Sequence, residues 1–421
     1  MRSDPEDKPR NLKSMLSEAK DASELMVDLA YAALYFDDEG MADAVLGLEG
    51  DMSALVHEMR SLAMLAVRHP REVDGMSSVL QVVSSIEQIA NAAVDISKIV
   101  LQHLGIPRAL IVDLAQAAEV SHRLVVAKGS HLANRPLRDM ELPVAVGMRV
   151  VAVQRGRHWL TDVGGDSIVE PGDVLFMRGD PAGIVRLREL AAMERWHPPE
   201  PDESQAPNDL DRAVDTLVEM KNLSEAAIGL AYSALVLRDL SLAREVRSMH
   251  ELLEGMKVSM QTWVLRAAAE GADPAQADPA ALRGLLHVAE AAEDIGDQAR
   301  NITSLILEDE DIHPVLALAL GDTEDVVVQV PVAPESRADG STLGSLGLAV
   351  DPGYHVLAIR RAASYVYNPT RTVRLQVGDE LLASGPEEGR DRLAAVCGYF
   401  MQIDEETGRV QLTPAAKPSS P

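Results

Sequence analysis

The segment LAYAAL at residues 29–34 returns as LAYSAL at 230–235, an offset of 201 residues. Ser23-Glu24 returns at the same offset as Ser224-Glu225. Further along, the stretch from Ile86 to Ile96 matches Ala292 to Ile302 at an offset of 206. GMRVVAVQR (147–155) aligns with GYHVLAIRR (353–361), and PGDVLFMRG (171–179) with VGDELLASG (377–385), again at 206. Blocks in one order at nearly constant spacing define a tandem duplication, so the chain must fold as two equivalent segments. The drift in offset places a short insertion near DPAQADP (273–279).

Each copy has two halves of different character. In the first half, apolar residues recur at three- and four-residue steps: Leu25, Leu29, Ala32, Ala33 and Phe36, then Met41, Val45, Leu48, Met52, Leu55 and Met59. A third helix is predicted from Val79 to about Leu104, with Ile86, Ile89, Ala93, Ile96 and Val100 on one face. Breaks at Asp37–Gly40, His69-Pro70 and Gly105–Pro107 divide this half into a bundle of three long helices. In the second half, LVVAKG (124–129) and MRVVAVQR (148–155) have strand composition. A short helix is expected around Leu132–Met140, DSIVEPGDVLFMRG makes a turn and a last strand, and 182–192 closes as a helix. The second copy repeats this β-α-β-β-β-α order, which implies a small α+β sandwich.

The expected fold class is therefore multidomain, α and α+β, with two three-helix bundles alternating with two small α/β sandwiches. The expected divisions are a disordered tail at 1–11, a bundle at 12–112 and an α/β domain at 113–195. An acidic, Pro-rich linker at 196–209 precedes a bundle at 210–313, an α/β domain at 314–404 and a disordered tail at 405–421.

The chain carries 39 basic and 66 acidic residues, a net charge of −27. That balance argues against binding nucleic acid, which needs clustered Lys and Arg, and against adsorption on anionic membranes. Only 8 of the basic residues are Lys and 31 are Arg. An acid excess with few lysines is what a salt-adapted, halophilic surface requires, and a GC-rich genome gives the same Arg usage, so charge speaks to environment rather than activity. One cysteine, Cys397, leaves no internal disulfide and suits a reducing cytosol. MRSDPEDKPR does not read as a signal peptide and no apolar run is long enough to span a bilayer, so a cytoplasmic protein without direct membrane insertion is expected.

The α/β halves resemble the TrkA-C (RCK-C) domain of potassium-transport regulators. The resemblance is carried by the L-x-x-L-x-L stretch at 343–348, VLAIRR (356–361), Asn368-Pro369 and VGDELL (377–382). The first copy carries it in Leu137, Leu142, VVAVQR (150–155) and PGDVLF (171–176). Gly172-Asp173 and Gly378-Asp379 also make independent sense as tight turns that need φ > 0 before a buried strand. The resemblance implies paired domains and, in some members, cyclic di-AMP in the cleft between them. Carried onto this sequence, the ligand would meet Leu346, Leu348, Tyr354, His355, Asn368 and Pro369. The chain departs from the pattern at Ala349, where an arginine is expected. The first copy departs further, with Pro143 there and Asp162-Val163 in place of Asn368-Pro369.

The helical halves resemble the PhoU family through EDIGDQARNI (293–302) and EQIANAAVDI (87–96), each placed after a LAYxAL helix. That resemblance implies duplicated three-helix bundles and, in some members, iron or zinc held through an E/D-x-x-x-D spacing. Glu293 and Asp297 meet the spacing, and one helical turn places both carboxylates on one face. A divalent metal there needs further ligands, and the first copy puts Asn91 at the second position.

No nucleophile elbow, P-loop or H-E-x-x-H is present, so no enzyme is expected. The order of domains resembles that of archaeal potassium-transport regulatory proteins. It implies a regulator that senses a small ligand, such as cyclic di-AMP, and acts on a membrane cation transporter subunit encoded elsewhere. Pairing is expected either as a homodimer or as an intramolecular pseudo-dimer. The alternatives are a metal-binding regulator of phosphate uptake and a ligand-free scaffold.

Overall fold

A computed structural model describes residues 11–115, 117, 119–156, 158–191, 208–269, 278–321, 325–362, 364–367, 369–403 and 410–414. Most of the expected N-terminal tail and linker lie outside the described residues. In the first copy, α1 (Leu12–Phe36), α2 (Glu39–Ala66), α3 (Val73–Leu101) and α4 (Arg108–Leu114) precede β1 (Val120–Val125) and β2 (Arg135–Pro136). Then come α5 (Leu142–Val146), β3 (Met148–Arg155), β4 (His158–Leu160), β5 (Ile168–Val169), β6 (Val174–Gly179) and α6 (Pro181–Leu190). The second copy gives α7 (Asp209–Leu237), α8 (Leu240–Ala269), α9 (Pro279–Leu307), α10 (Pro314–Leu320), β7 (Asp325–Pro331) and α11 (Leu343–Leu346). It ends with β8 (His355–Arg361), β9 (Ser364–Tyr367), β10 (Glu380–Pro386), α12 (Arg390–Val396), β11 (Tyr399–Ile403) and β12 (Val410–Pro414).

The four pieces do not stand as four beads. The helical halves, up to residue 107 and from 207 to 323, form one unit, and the α/β halves, 108–206 and 324 onward, form another. Each unit is thus discontinuous in sequence and joins copy to copy.

In the helical unit, the same local signals recur in both copies. Asn11 caps α1 by accepting the Ser14 N–H at 3.0 Å, and Asn208 caps α7 by accepting the Asp211 N–H at 3.0 Å. α7 starts one turn earlier relative to the repeat, with 29 residues against 25. Asp37 and Arg238, equivalent at offset 201, both end their helices in the left-handed region at φ 51° and 52°. The next residues, Asp38 and Asp239, cap α2 and α8 by accepting the N–H of Met41 at 3.0 Å and of Ser241 at 2.7 Å. The offset grows between the second and third helices, as DPAQADP implies: α3 starts at Val73 and α9 at Pro279, 206 residues later. The third helix starts six residues before the predicted Val79 and stops three short of Leu104.

The two bundles meet through α3 and α9 and through reciprocal buried side chains. Lys20 Nζ lies 5.4 Å above the Tyr232 ring, and its equivalent Lys221 lies 5.1 Å above the Tyr31 ring. Both lysines are also ion-paired one turn onward, Lys20 to Glu24 and Lys221 to Glu225, each at 2.8 Å. Burial, and then the charge of Glu225, push the Tyr31 phenol above its ordinary value; burial does the same for Tyr232, with Glu24 adding to it. Sites related by the repeat that contact each other both ways are the signature of a two-fold relation. Here it lies inside one chain.

In the α/β unit each copy builds a four-stranded antiparallel sheet, in the order β1-β6-β3-β4 and β7-β10-β8-β9. Register shifts at Val150/Ala152 and at Leu382/Ala383 leave Val151 and Leu357, equivalent at offset 206, as the extra residues of matching bulges. Gly172 and Gly378 adopt φ +95° and +85°, as the tight turns before β6 and β10 require.

Three sequence expectations are corrected. In place of the short helix expected around Leu132–Met140, the chain forms β2 and then a single 3-10 turn at Leu137–Met140, because Pro136 ends the strand with extended backbone. The first strand is Val120–Val125 rather than 124–129, because Val120, His122 and Leu124 point inward while Val125 is 52% exposed. The tail expected to be disordered from 405 contains β12, which pairs antiparallel with β11 from Tyr399↔Pro414 to Ile403↔Val410.

Candidate functional site

The two α/β copies touch across a contact that repeats itself. Gly147 follows α5 with φ +66°, and a Cβ built on it would fall 2.2 Å from the Ala349 carbonyl oxygen. Gly353, its equivalent, has φ +84°, and a Cβ there would fall 2.2 Å from the Pro143 carbonyl oxygen. Pro143 and Ala349 are themselves equivalent, so each glycine receives the other copy's backbone at the same position. The departure from the TrkA-C pattern at Ala349 thus falls where the chain packs backbone against backbone.

Charged groups surround this contact. Glu119 of the first copy pairs with Arg178 and, across the contact, with His355 Nε2 at 3.0 Å. Arg392 reaches Glu141 at 3.3 Å, and Arg371 lies 3.9 Å from Asp180. The Arg392 pair has no mirror image: Arg186 is its equivalent, but Gly347 stands where Glu141 would be needed. His355 is thus a bridging group between copies. Burial alone would lower its pKa, but Glu119, by charge and hydrogen bond, and Asp180 hold it above the ordinary 6.5 against the opposing Arg178. A raised folded value contributes stability that is complete below pH 6.5 and is lost as pH rises through the raised value. Unfolding free energy of the wild type minus that of His355→Gln should therefore decline as pH climbs above 6.5. A difference that stays level over that climb would count against the pairing.

The sequence-predicted ligand residues separate here. Leu346, Leu348 and Tyr354 belong to the core of the second copy, packed with Ile359, Leu381 and Leu393, and are 5%, 3% and 1% exposed. The apolar base platform expected from them is therefore not presented, because these side chains fill their own domain. Pro369 is half-buried, His355 is committed to Glu119, and Asn368 lies outside the described residues.

Inside each copy, one arginine ties strand to turn. Arg155 donates from Nε and Nη2 to Asp173 at 2.9 and 2.8 Å, and Arg361 does the same to Asp379 at 2.7 and 2.6 Å. Both aspartates are buried. Burial alone would raise the Asp173 carboxyl; the Arg155 hydrogen bonds, the Glu170 N–H and the guanidinium charge hold it below its ordinary value instead. Equal spacing of Arg and Asp in both copies, eighteen residues, was the sequence signal for this pair.

In the second bundle, Glu293 and Asp297 do share a face of α9, and α8 supplies partners the sequence did not reveal. His250, Glu254 and Glu293 place one ligand atom each within 4.8 Å of one another. His250 Nε2 lies 3.3 Å from Asp297 Oδ1. The His250 and Glu254 spacing, one helical turn, was the available clue. These donors are chemically suited to a divalent ion, but cations of the chain already hold Glu293 and the neighbouring Asp297. Lys257 Nζ sits 2.7 Å from Glu293 Oε2, and Arg300 Nη2 2.5 Å from Asp297 Oδ1. Burial alone would pull the Lys257 ammonium down, yet the hydrogen bond and charge of Glu293, with Glu290 and Asp294, hold it above the ordinary lysine value. An ion on Glu293 would stand about 5 Å from that ammonium and be repelled by about 7 kcal/mol at an effective dielectric of ~20. As built, the residues do not fit the metal that the PhoU resemblance implies.

With the geometry described, comparison with known proteins decides the family. The TrkA-C domain family matches residues 122–192 and 327–398, and the PhoU domain family matches 16–100 and 217–306. The chain is a tandem PhoU and TrkA-C domain protein. No curated protein matches it. Among solved structures, PhoU from Pseudomonas aeruginosa is 14% identical, with 70% of this chain and 93% of that one covered and a TM-score of 0.40. The GsuK channel bound to NAD is 12% identical at 77% and 65% coverage, and the GsuK RCK domain 12% at 77% and 78%, both with a TM-score of 0.17. This tandem protein therefore rests on its domain matches rather than on those superpositions. Among its described residues, no helix is long and apolar enough to cross a membrane.

Proposed function

We propose that this tandem PhoU/TrkA-C protein is a cytoplasmic, non-catalytic regulator of potassium or other cation transport. In this reading it senses a small ligand at its paired TrkA-C copies and acts on a membrane transporter subunit encoded elsewhere. Both matched families are regulatory. The observation that carries the reading is the reciprocal Gly147–Ala349 and Gly353–Pro143 contact, which supplies within one chain the pairing that TrkA-C ligand sensing uses. The effector class is an anionic dinucleotide such as cyclic di-AMP, and its phosphates would draw the exposed Arg371 and Arg392 from Asp180 and Glu141. A ligand that prefers one geometry of the pair shifts the population by its differential affinity, and the bundles carry that bias to the transporter.

A melting-temperature screen of the full chain in high salt tests the ligand. Cyclic di-AMP at 100 times its dissociation constant should add about 2.7 kcal/mol of stability. A flat melting temperature with every cyclic dinucleotide removes the sensing role. Flux through reconstituted potassium transporters tests the output, and flux unmoved by the protein removes the transport role. The PhoU match over both bundles favours a second reading, regulation of phosphate uptake. Co-purification with a phosphate transporter instead of a potassium transporter would establish it.

A further inference from the structure

We propose that Lys257 and Arg60 replace, as covalently attached cations, the metal ions that a PhoU-type acidic cluster calls for, so that both bundles are charge-compensated without metal. Glu87 of α3 and Glu293 of α9 are equivalent at offset 206. Each receives one basic side chain from the middle helix of its own bundle: Arg60 Nη2 to Glu87 Oε2 at 2.7 Å, and Lys257 Nζ to Glu293 Oε2 at 2.7 Å. The two bases are not themselves equivalent. At the offset of 201 that relates the middle helices, Arg60 corresponds to Gln261 and Lys257 to Val56.

Duplication therefore does not account for the matching pairs. The bases stand at positions one helical turn apart in the repeat, and the reach of a long side chain brings each to its copy's equivalent carboxylate. What is common to the two copies is the demand for positive charge at that point of the third helix. In the second bundle the demand is greatest, since Glu290, Glu293, Asp294 and Asp297 follow one another along α9. There one of only eight lysines in the chain is spent on it, with Arg300 beside Asp297. The first bundle, with Asn91 in place of the second acid, is compensated by Arg60 at Glu87.

The test is zinc and iron binding by the full chain. Wild-type protein from metal-supplemented medium should hold substoichiometric iron and zinc after dialysis, and its melting temperature should not rise with added zinc. Lys257→Met frees Glu293 beside His250 and Glu254, and should bind zinc roughly tenfold tighter or better than wild type. Adding Glu293→Gln to Lys257→Met should abolish the gain, which locates it at this cluster. Wild type carrying stoichiometric metal, a wild-type melting temperature raised by zinc, or a folded Lys257→Met with wild-type zinc affinity would each overturn the proposal. The wild-type measurements decide the matter even where Lys257→Met does not fold.

Discussion

Arg155→Met should destabilise the α/β unit by about 3 kcal/mol at neutral pH, the lower end of the range for breaking a buried pair, because the guanidinium itself is partly solvated. The loss is one-sided. Asp173 stays behind, 2% exposed, with the Glu170 N–H still donating to it at 2.8 Å. A buried carboxylate stripped of its guanidinium either keeps an uncompensated charge or takes up a proton, and both cost stability. The pH dependence follows from the lowered Asp173 value: its contribution is present above the unfolded carboxyl value and is lost as pH falls through the folded one. The gap between wild type and Arg155→Met should thus be widest near neutrality and narrow in acid. Glu170→Gln removes only an exposed partner of the same arginine and should change stability by less than about 0.5 kcal/mol. Urea unfolding followed by circular dichroism at several pH values reads all three; a gap that widens in acid would refute the assignment.

Gly353→Ala should be at least as damaging, for a different reason, and Gly378→Ala is its control. The two glycines have φ of +84° and +85°, so the intrinsic penalty for a side chain in that conformation is shared, about 1 kcal/mol. Around Gly378 no atom lies within 4 Å of the added Cβ, whereas at Gly353 the Pro143 carbonyl oxygen lies 2.2 Å away. Backbone cannot swing aside as a side-chain tip can, so the contact between copies must open. Gly353→Ala should therefore cost roughly 2–3 kcal/mol more than Gly378→Ala. Hydrogen exchange should also speed up in both 142–147 and 349–353, because the contact is mutual. Equal losses for the two variants would show that the contact contributes nothing.

The legible parts of the fold were those with a local signal. Helix limits followed from breaks such as Asp37–Gly40 and from apolar steps such as Ile86, Ile89 and Ala93. Gly172 and Gly378 marked turns because the conformation there needs glycine. Where the signal was mixed, the reading slipped: VSHRLV hides its inward positions because one of them is His122, whose burial lowers its pKa to about 4. Leu346, Leu348 and Tyr354 looked like a binding surface since a core side chain and a ligand platform have the same composition. His355 was read as a ligand contact; the structure pairs it with Glu119, which lies in the other copy, where no spacing rule reaches.

The sequence by itself determined that the chain is written twice, which half of each copy is helical and which is α/β, and where the turns fall. Those properties depend on residues a few positions apart, so periodicity and turn chemistry carry them. Only the tertiary structure decided that like halves join across the chain, that Gly147 and Gly353 seat the opposite backbone, and that Arg60 and Lys257 converge on equivalent acids. These depend on surfaces brought together over some two hundred residues, and complementarity at that range is a property of shapes and charges in space rather than of any local pattern.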